Sequence, residues 1–510
     1  MEFDSGAMNY NKLPYNLNGR KKITSNRTSE DLRDPKILAE VINNAMDRHN
    51  ENKQAIDYLI NYKKGNQPIL GKRKEIRPEI NNTTVINHAQ MVTRNVVGYF
   101  LGSPIQYIEG GDGAKQDLID ELNRDVQYEN KSSVDREIGE YQSITGTAYR
   151  IIIRDKDVDT QDEVPFEDRS LNPSTTFVVY ENDISGNPLL GGTYYPNYDS
   201  SGKMTDCKFY IYTNFGMYTI NSGENGEVKP KDIGELQAFD VGGVPIIEYP
   251  NNMWRLGDWE LAIGLMDAIN NLQSGRMDDI DQIVQSLLVF INADIDSEVY
   301  DEMRKEGVVM LKNDTNSKTS IETVTNTLDQ SGMNMFSKEL EELLYALLGI
   351  PSRNNRPGGG GDTGQAVELR DGWADLEIIA RNKELMFKKS EKRTLKIILS
   401  IFNLDKSEKL NLRDVDIKFS RNKSNNLLVK TQSYQTLLDT KTLSPSDCLT
   451  IVDLVSDVNE YISRGKSFWG DEFANKGQDE IGNSVANQFG GSQTQPKGDN
   501  LDESGESEED

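Results

Sequence analysis

The sequence predicts an α+β fold built around two long amphipathic helices, and three observations predict it. Apolar residues recur at helical spacing through Trp259, Leu261, Ala262, Leu265, Met266, Ala268, Ile269 and Leu272. The pattern resumes with Met277, Ile280, Ile283, Val284, Leu287 and Leu288. A second helical pattern runs from near Thr363 to about Phe402, carried by Ala366, Leu369, Trp373, Leu376, Ile379, Leu385, Met386, Leu395, Ile398, Leu399 and Phe402. The third observation is the stretch 149–249. It is rich in Tyr, Thr, Val and Ile and is cut by turn residues at short intervals, as an antiparallel sheet requires.

The first helix is expected over 258–288. If continuous it is about 45 Å long, at about 1.5 Å per residue, which suits a spacer. Gly264 and Gly275 lie inside it, each costing about 1 kcal/mol against Ala, and are expected to mark a bend or a close neighbour. A compact strand-rich insertion follows. Residues 289–294, 308–314 and 320–326 read as strands, with a short helix around 297–305. Met333, Phe336, Leu340, Leu343, Leu344, Leu347 and Leu348 then make a strongly apolar helix that stops at Gly349-Ile350-Pro351.

The loop at 352–364 reads SRNNRPGGGGDTG. Gly358, Gly359, Gly360 and Gly361 remove side chains and free the backbone. Arg353, Asn354, Asn355 and Arg356 stand just before them. The segment can offer positive charge and backbone N–H groups to phosphates, or serve as a plain connector. Gly359, Gly361 and Gly364 match G-x-G-x-x-G, but that fingerprint needs a strand before it and here a helix precedes. No G-K-[ST] follows, so a P-loop is excluded.

Composition narrows the function. The chain has 510 residues, 36% of them hydrophobic and 27% charged, and a formal net charge of -26. That length allows two to four domains. A free-standing nucleic-acid binder is normally basic, so any DNA contact is expected through local patches. No apolar run is long enough for a membrane span, and no secretory signal stands at the start. Cys207 and Cys448 give no disulfide framework, which fits a reducing compartment. With His49 and His88 they do not make a zinc spacing. No nucleophile motif is present. The pairs Asp278-Asp279 and Glu341-Glu342 read as solvated carboxylates of charged helix faces rather than metal ligands. No cofactor and no catalysis are expected.

Taken in order, residues 1–34 are polar and punctuated and read as a flexible arm, with Met1–Ala7 either native or an added leader. Residues 35–64 are helical. Residues 86–101 form a helix that ends at Gly102, after which Ser103-Pro104-Ile105 opens a strand. Residues 112–140 read as acidic helices, 412–419 as a strand and 427–438 as a helix. Ser444, Pro445 and Asp447 have the residue types and spacing of a helix start. The end, DNLDESGESEED, is an acidic tail expected to be disordered.

Several phrases resemble the portal proteins of tailed bacteriophages, in the branch of siphophages infecting Gram-positive hosts. They are Tyr62, Gly65 and Ile69; Gly98-Tyr99-Phe100-Leu101-Gly102-Ser103-Pro104-Ile105; Gly146-Thr147-Ala148-Tyr149; and Val244-Pro245-Ile246-Ile247-Glu248-Tyr249-Pro250-Asn251-Asn252. The resemblance runs over roughly 35–465. Two phrases depart from it. Thr363-Gly364-Gln365-Ala366-Val367 stands for the family's SGxAL, and Phe419-Ser420-Arg421-Asn422-Lys423-Ser424-Asn425 has serine where the family has proline.

The resemblance implies a portal fold: an arm (1–34), a strand-rich wing (35–250), a first stem helix (251–288), a small α/β clip (289–332), a second stem helix (333–349), a tunnel loop (350–364), a long tunnel helix (365–402), a helical crown (403–466) and a disordered acidic tail (467–510). It implies a dodecameric ring at one vertex of the virion, assembled in the host cytoplasm. Double-stranded DNA would be packaged and ejected through it. The implied partners are the terminase large subunit, a head-completion or adaptor protein, and scaffold and major capsid proteins, with no membrane. Implied DNA-channel residues are Arg353, Asn354, Asn355, Arg356, Gly358, Gly359, Gly360 and Gly361. Candidates for the subunit interface are Leu265, Leu272, Leu340 and Leu344. Candidates for the clip contact are Asp294, Lys305, Lys312 and Asn313. Two other readings stay open: a nucleotide-binding enzyme using the glycine-rich loop, and a capsid or scaffold protein without a channel.

Overall fold

The structure is a computed structural model. It describes residues 18–75, 77–110, 115–154, 164–201, 204–223, 226–239, 241–284, 287–291, 320–324, 330–351, 373–404, 406–421, 427–440 and 442–452, with isolated positions out to 468. The strand expected at 308–314, the helix at 297–305, the loop at 352–364 and, apart from Phe468, the tail lie outside these residues. The chain divides into two compact units, Met1–Lys423 and Ser424–Asp510.

The first unit opens with β1 (Ile23–Ser25) and α1 (Pro35–Lys63). Asp34 caps α1 by accepting from the Lys36 N–H, and Pro35 fills the first turn, where no hydrogen bond is lost. α2 (His88–Phe100) is capped by Asn87, which also donates to the Lys63 carbonyl at the end of α1. β2 (Gln106–Glu109), α3 (Gln116–Tyr128) and α4 (Lys131–Thr145) follow. Residues 18–34, expected to be a flexible arm, are instead bound to the body. β1 pairs parallel with β5 (Thr176–Glu181), and Ile23 is buried. Arg20 donates to Glu260 at 2.5 Å and to the Thr145 carbonyl at 3.2 Å.

The expected antiparallel sheet is present and is the largest element. β5, β6 (Pro188–Tyr198), β7 (Met204–Tyr212), β8 (Gly216–Ser222) and β9 (Gln237–Ala238) complete a six-stranded sheet ordered β1-β5-β6-β7-β8-β9. One face packs on α1 through Leu38, Ile42, Phe177, Phe209 and Ile220. Near the other face lies a second sheet, ordered β10-β3-β4, of β3 (Thr147–Arg154), β4 (Phe166–Leu171) and β10 (Ile246–Pro250). Gly191 is needed where the two sheets meet, since a Cβ there would stand 2.6 Å from Ile246.

α5 (Ile263–Val284) is shorter than the 258–288 expected. A 3-10 turn, Glu260–Ala262, precedes it because the Glu260 carboxylate is held by Arg20 and by the Gly257 N–H. Leu287 and Leu288 belong to β11 (Leu287–Ile291), paired antiparallel with β12 (Ser320–Val324). At 22 residues α5 spans about 33 Å. Gly264 and Gly275 have open space where a Cβ would stand, so neither serves a close approach among the described residues. α6 (Gln330–Leu347), α7 (Trp373–Phe402) and β13 (Val415–Lys418), which pairs with β2, complete this unit. In the second unit, α8 spans Leu427–Asp439, and α9 (Pro445–Val452) begins directly after Ser444, where the capping residues placed it.

A network of buried charges joins six of these elements. Arg150 on β3 is fully buried. Its guanidinium donates to Glu391 of α7 at 3.1 Å and to Asp135 of α4, and its Nε lies 3.4 Å from Asp168 of β4. Lys131 bridges Asp135 at 2.7 Å and Glu391 at 2.8 Å. Tyr107 of β2 and Tyr249 of β10 donate to the two Glu391 oxygens at 2.8 and 2.6 Å. Two cations thus face three carboxylates, and no carboxyl oxygen of Asp168 accepts a hydrogen bond from a described residue. Burial, opposed by the Arg150 charge, pushes the Asp168 carboxyl up to about 6. Lys131 and Arg150 hold Glu391 down to about 2 against its burial.

The two carboxyls therefore act on stability with opposite sign. Asp168 binds its proton more tightly folded than unfolded, so its contribution is present below its ordinary pKa and lost as pH rises through about 6. Glu391 stabilises above the ordinary Glu range, and that contribution is lost as pH falls toward 2. Asp168→Asn is expected to raise the thermal midpoint at pH 7.5 and to flatten its fall between about pH 4 and 6. Glu391→Ala leaves Arg150 and Lys131 short of a partner and should cost about 3–5 kcal/mol in chemical denaturation. A midpoint unchanged in both variants would remove the network from the stability of the fold.

Candidate functional site

Among the described residues the two histidines and Cys207 are buried in the fold. His49 is buried with its Nε2 3.1 Å from the Ser174 carbonyl oxygen, and burial lowers its pKa to about 4. His88 is also buried and its pKa lowered. Burial raises the Cys207 thiol to about 11, away from a reactive thiolate. Asp278 is not a free metal ligand. It takes Lys72 at 2.8 Å, Lys74 at 2.6 Å and the Asn82 N–H at 2.6 Å, and so fastens the 72–82 segment to α5. Among the described residues no group of three or more His, Cys, Asp or Glu is placed to hold a metal. No helix among them is long and apolar enough to cross a membrane.

The helices that frame the insertion do come together. Gln273 of α5 donates to Ser337 of α6 at 2.6 Å. α5 is fixed to the body by Trp259, which stacks on Tyr62 at 5.5 Å and donates to Thr93 at 3.0 Å. Tyr62 in turn donates to Asp267 at 2.8 Å. α6 ends as expected. The Ile350 N–H reaches the Tyr345 carbonyl at 3.0 Å, and Gly349 takes a left-handed φ of 57°. A Cβ on Gly349 would meet Ile379 of α7 at 2.7 Å.

The apolar residues of α6 divide into two stripes. Leu344, at 0% exposure, and Leu348 lie in the main core, with Leu340 packed against it. Phe336, Leu343 and Leu347 point out at 50%, 53% and 60% exposure. Of the four leucines marked for an interface, Leu344 is thus fully used inside its own subunit, Leu265 and Leu340 are half-buried against the same core, and Leu272 is half-buried. The outward stripe was on the page as sequence, at spacings of seven and four, but spacing does not say which stripe the subunit keeps. The channel residues Arg353, Asn354, Asn355, Arg356, Gly358, Gly359, Gly360 and Gly361 and the clip residues Asp294, Lys305, Lys312 and Asn313 lie outside the described residues.

The phrases that carry the family resemblance have physical work in this structure. Gly146 ends α4 at φ 77°, and a Cβ there would stand 2.1 Å from the Arg255 carbonyl oxygen. Thr147 donates to Glu248, which also holds Arg255 in a two-point ion pair and accepts from Tyr180 at 2.6 Å. Asn251 accepts from Lys383 of α7 at 2.5 Å and donates to Asp258 at 2.8 Å, and Lys383 pairs with Asp258. Phe100 and Phe419 stack at 5.6 Å, both against Phe387 of α7. The phrases are therefore points at which strands β3, β5 and β10, α5 and α7 are tied to one another.

A family model described as "Phage portal protein, SPP1 Gp6-like" matches residues 42–467. The chain belongs to this family. Its α+β architecture is a portal fold, and its role is that of a portal or connector protein of a phage-type particle. No curated protein matches the chain. Two similar solved structures are "Neck of native GTA particle computed with C12 symmetry" and "Neck of empty GTA particle computed with C6 symmetry". The first has 12% identity and a TM-score of 0.38, covering 72% of this chain and 88% of that one. The second has 13% identity and a TM-score of 0.43, covering 78% of this portal chain and 93% of that one.

The division of α6 makes a prediction. Leu344→Ala should cost the isolated subunit about 2–5 kcal/mol, while Leu343→Gln and Leu347→Gln should leave its unfolding midpoint within experimental error. Urea titrations of the three variants decide it, and equal losses in all three would put both stripes in the core.

Proposed function

We propose that this portal protein forms a closed ring at one vertex of a phage head, through which double-stranded DNA is packaged and later ejected. The observation that carries the reading is the family match over 42–467, read with the outward apolar stripe of α6. A helix that is apolar on both sides needs burial on both sides, and the described residues of the subunit cover only one. In a cyclic ring the contact is heterologous, so this stripe meets a different face of the next copy. The clip, 289–332, is the expected contact for terminase and then for an adaptor protein, with Asp294, Lys305, Lys312 and Asn313 as its candidates.

A conduit must let phosphates slide. Affinity for DNA rises steeply with the number of phosphates neutralised, so a basic lumen would stall the genome. A net charge of -26 with a few cations in the tunnel loop gives weak contacts repeated around the ring. Arg353 and Arg356 are proposed to supply them. The enzyme reading loses ground, because the described segment leading to the glycines is helix α6 and its cap, not the strand that a phosphate fingerprint needs.

Two measurements test the reading. Sedimentation and negative-stain imaging of the purified chain are expected to give a large ring with a central hole. The combined Phe336→Ser, Leu343→Gln, Leu347→Gln variant is expected to give folded monomers. Arg353→Ala with Arg356→Ala should form rings and lose genome packaging or retention. Full packaging by that variant would take the arginines out of the channel, and a closed assembly without a hole would leave a structural shell protein.

A further inference from the structure

The strongest unassigned feature is a cleft of about 890 Å³ where the six-stranded sheet meets β10 and α7. Its volume falls within the range of about 300–1,000 Å³ usual for small-ligand sites. Asn187, Asn214, Phe215 and Phe239 line one part of it, and Arg393 and Lys396 of α7 another. Ile246, Ile247 and Ile397 make its floor apolar.

Its charge is out of character with the chain. Between Lys388 and Lys396, α7 carries five cations and one carboxylate, in a protein of 57 Lys and Arg against 83 Asp and Glu. That carboxylate, Glu391, is consumed by the buried network. Lys388 pairs with Asp416. Lys389, Arg393 and Lys396 recur at helical spacing, the last two lining the cleft, and none of them pairs with a carboxylate among the described residues. Lys22 lies close to them. Burial first, then the charges of Arg255, Arg393 and Lys389, lower its pKa against the opposing pull of Glu248. Lys22 sits 4.4 Å over the Tyr180 ring and likewise pairs with no carboxylate among the described residues. Like charges left together and unneutralised repel, so the cluster is poised for an anion with more than one negative charge.

The neutral part of the lining narrows the ligand further. Phe239 lines the cleft, and so does Phe215, whose ring carries the Arg33 guanidinium 4.4 Å from its centroid and so brings a further cation to the same wall. Asn214 uses its carbonyl oxygen on the Ser29 hydroxyl at 2.6 Å, which leaves its amide N–H groups as donors. Gly243 has open space where a Cβ would stand. Aromatic faces, amide donors and paired cations in one cleft match a base with its phosphate.

We propose that this cleft binds a nucleotide unit, its phosphate on Arg393 and Lys396 and its base against Phe215 and Phe239. The same chemistry is offered by a free nucleotide and by an unpaired nucleotide of a nucleic-acid strand. The site shares no residue with the loop at 352–364 and stands or falls independently of ring closure.

The test uses the full-length protein and three probes: ATP, inorganic phosphate, and a fluorescent single-stranded oligonucleotide. Isothermal titration serves the first two and anisotropy the third. Binding of ATP or of the oligonucleotide is expected, weakened by salt and reduced at least tenfold in Arg393→Ala with Lys396→Ala. Phe239→Ala should weaken ATP or oligonucleotide binding and leave phosphate binding unchanged. ATP binding identifies a free-nucleotide site, and oligonucleotide binding alone identifies a strand site. Arg353→Ala with Arg356→Ala is the control, since binding lost there and kept in the Arg393 and Lys396 variant would overturn the assignment. So would the absence of binding by ATP and oligonucleotide at millimolar concentration, or equal effects of Phe239→Ala on ATP and phosphate. Matching thermal midpoints establish that each variant is folded.

Discussion

Glu391 is the constraint on which the rest of this fold depends. It is a carboxylate on α7 without solvent contact, and its charge persists there only because Arg150, Lys131, Tyr107 and Tyr249 converge on it. Taking an unpaired ion out of water costs several kcal/mol, and that cost is met only when every lone pair finds a partner. Partners come from β2, α4, β3 and β10, so α7 cannot dock unless those elements are already placed. A purely apolar core would tolerate sliding of a long helix by a turn. A buried charge with four fixed partners does not, which sets the register of the longest described helix against the β10-β3-β4 and β13-β2 sheets.

Much of the architecture was legible because it rests on period and punctuation. The helix ending before Gly102, the start of α9 after Ser444 and the Gly349-Ile350-Pro351 stop of α6 were each stated by a few residues with a local physical reason. The sheet region was legible from its β-branched and aromatic content. The failures share a different cause. Residues 18–34 look polar and loose, yet Ile23 and Arg20 find long-range partners in β5 and Glu260 that no local window contains. Leu287 and Leu288 continued a helical period and were won by strand pairing with Thr323 and Val324. The charge network was invisible for the same reason. Lys131, Asp135, Arg150, Asp168 and Glu391 read as ordinary surface charges until the chain brings them together.

The family phrases were legible as a pattern, and the structure supplies their reasons. Gly146 is required by a left-handed turn packed on the Arg255 carbonyl. Glu248, Tyr249 and Asn251 each hold a different neighbour within four residues of chain. By contrast Gly98, part of the same set of phrases, has open space around the position of a Cβ. Its place in the phrase therefore has no steric basis among the described residues.

Why the functional face stayed hidden follows from what kind of protein this is. An enzyme announces its site through residue types whose chemistry is rare elsewhere, such as a nucleophile beside a base. A protein that works by docking does so through whichever side of an ordinary apolar helix it leaves uncovered. On α6 the residues Leu340, Leu344 and Leu348 and the residues Phe336, Leu343 and Leu347 have the same chemistry and the same helical logic. Only the position of the core separates them. The inward stripe is satisfied by the chain itself. The outward one would leave three large apolar side chains half in water on one helix face, a patch that a lone soluble subunit would rarely carry. Among the described residues nothing covers that stripe, and this is the feature on which the proposed ring contact rests.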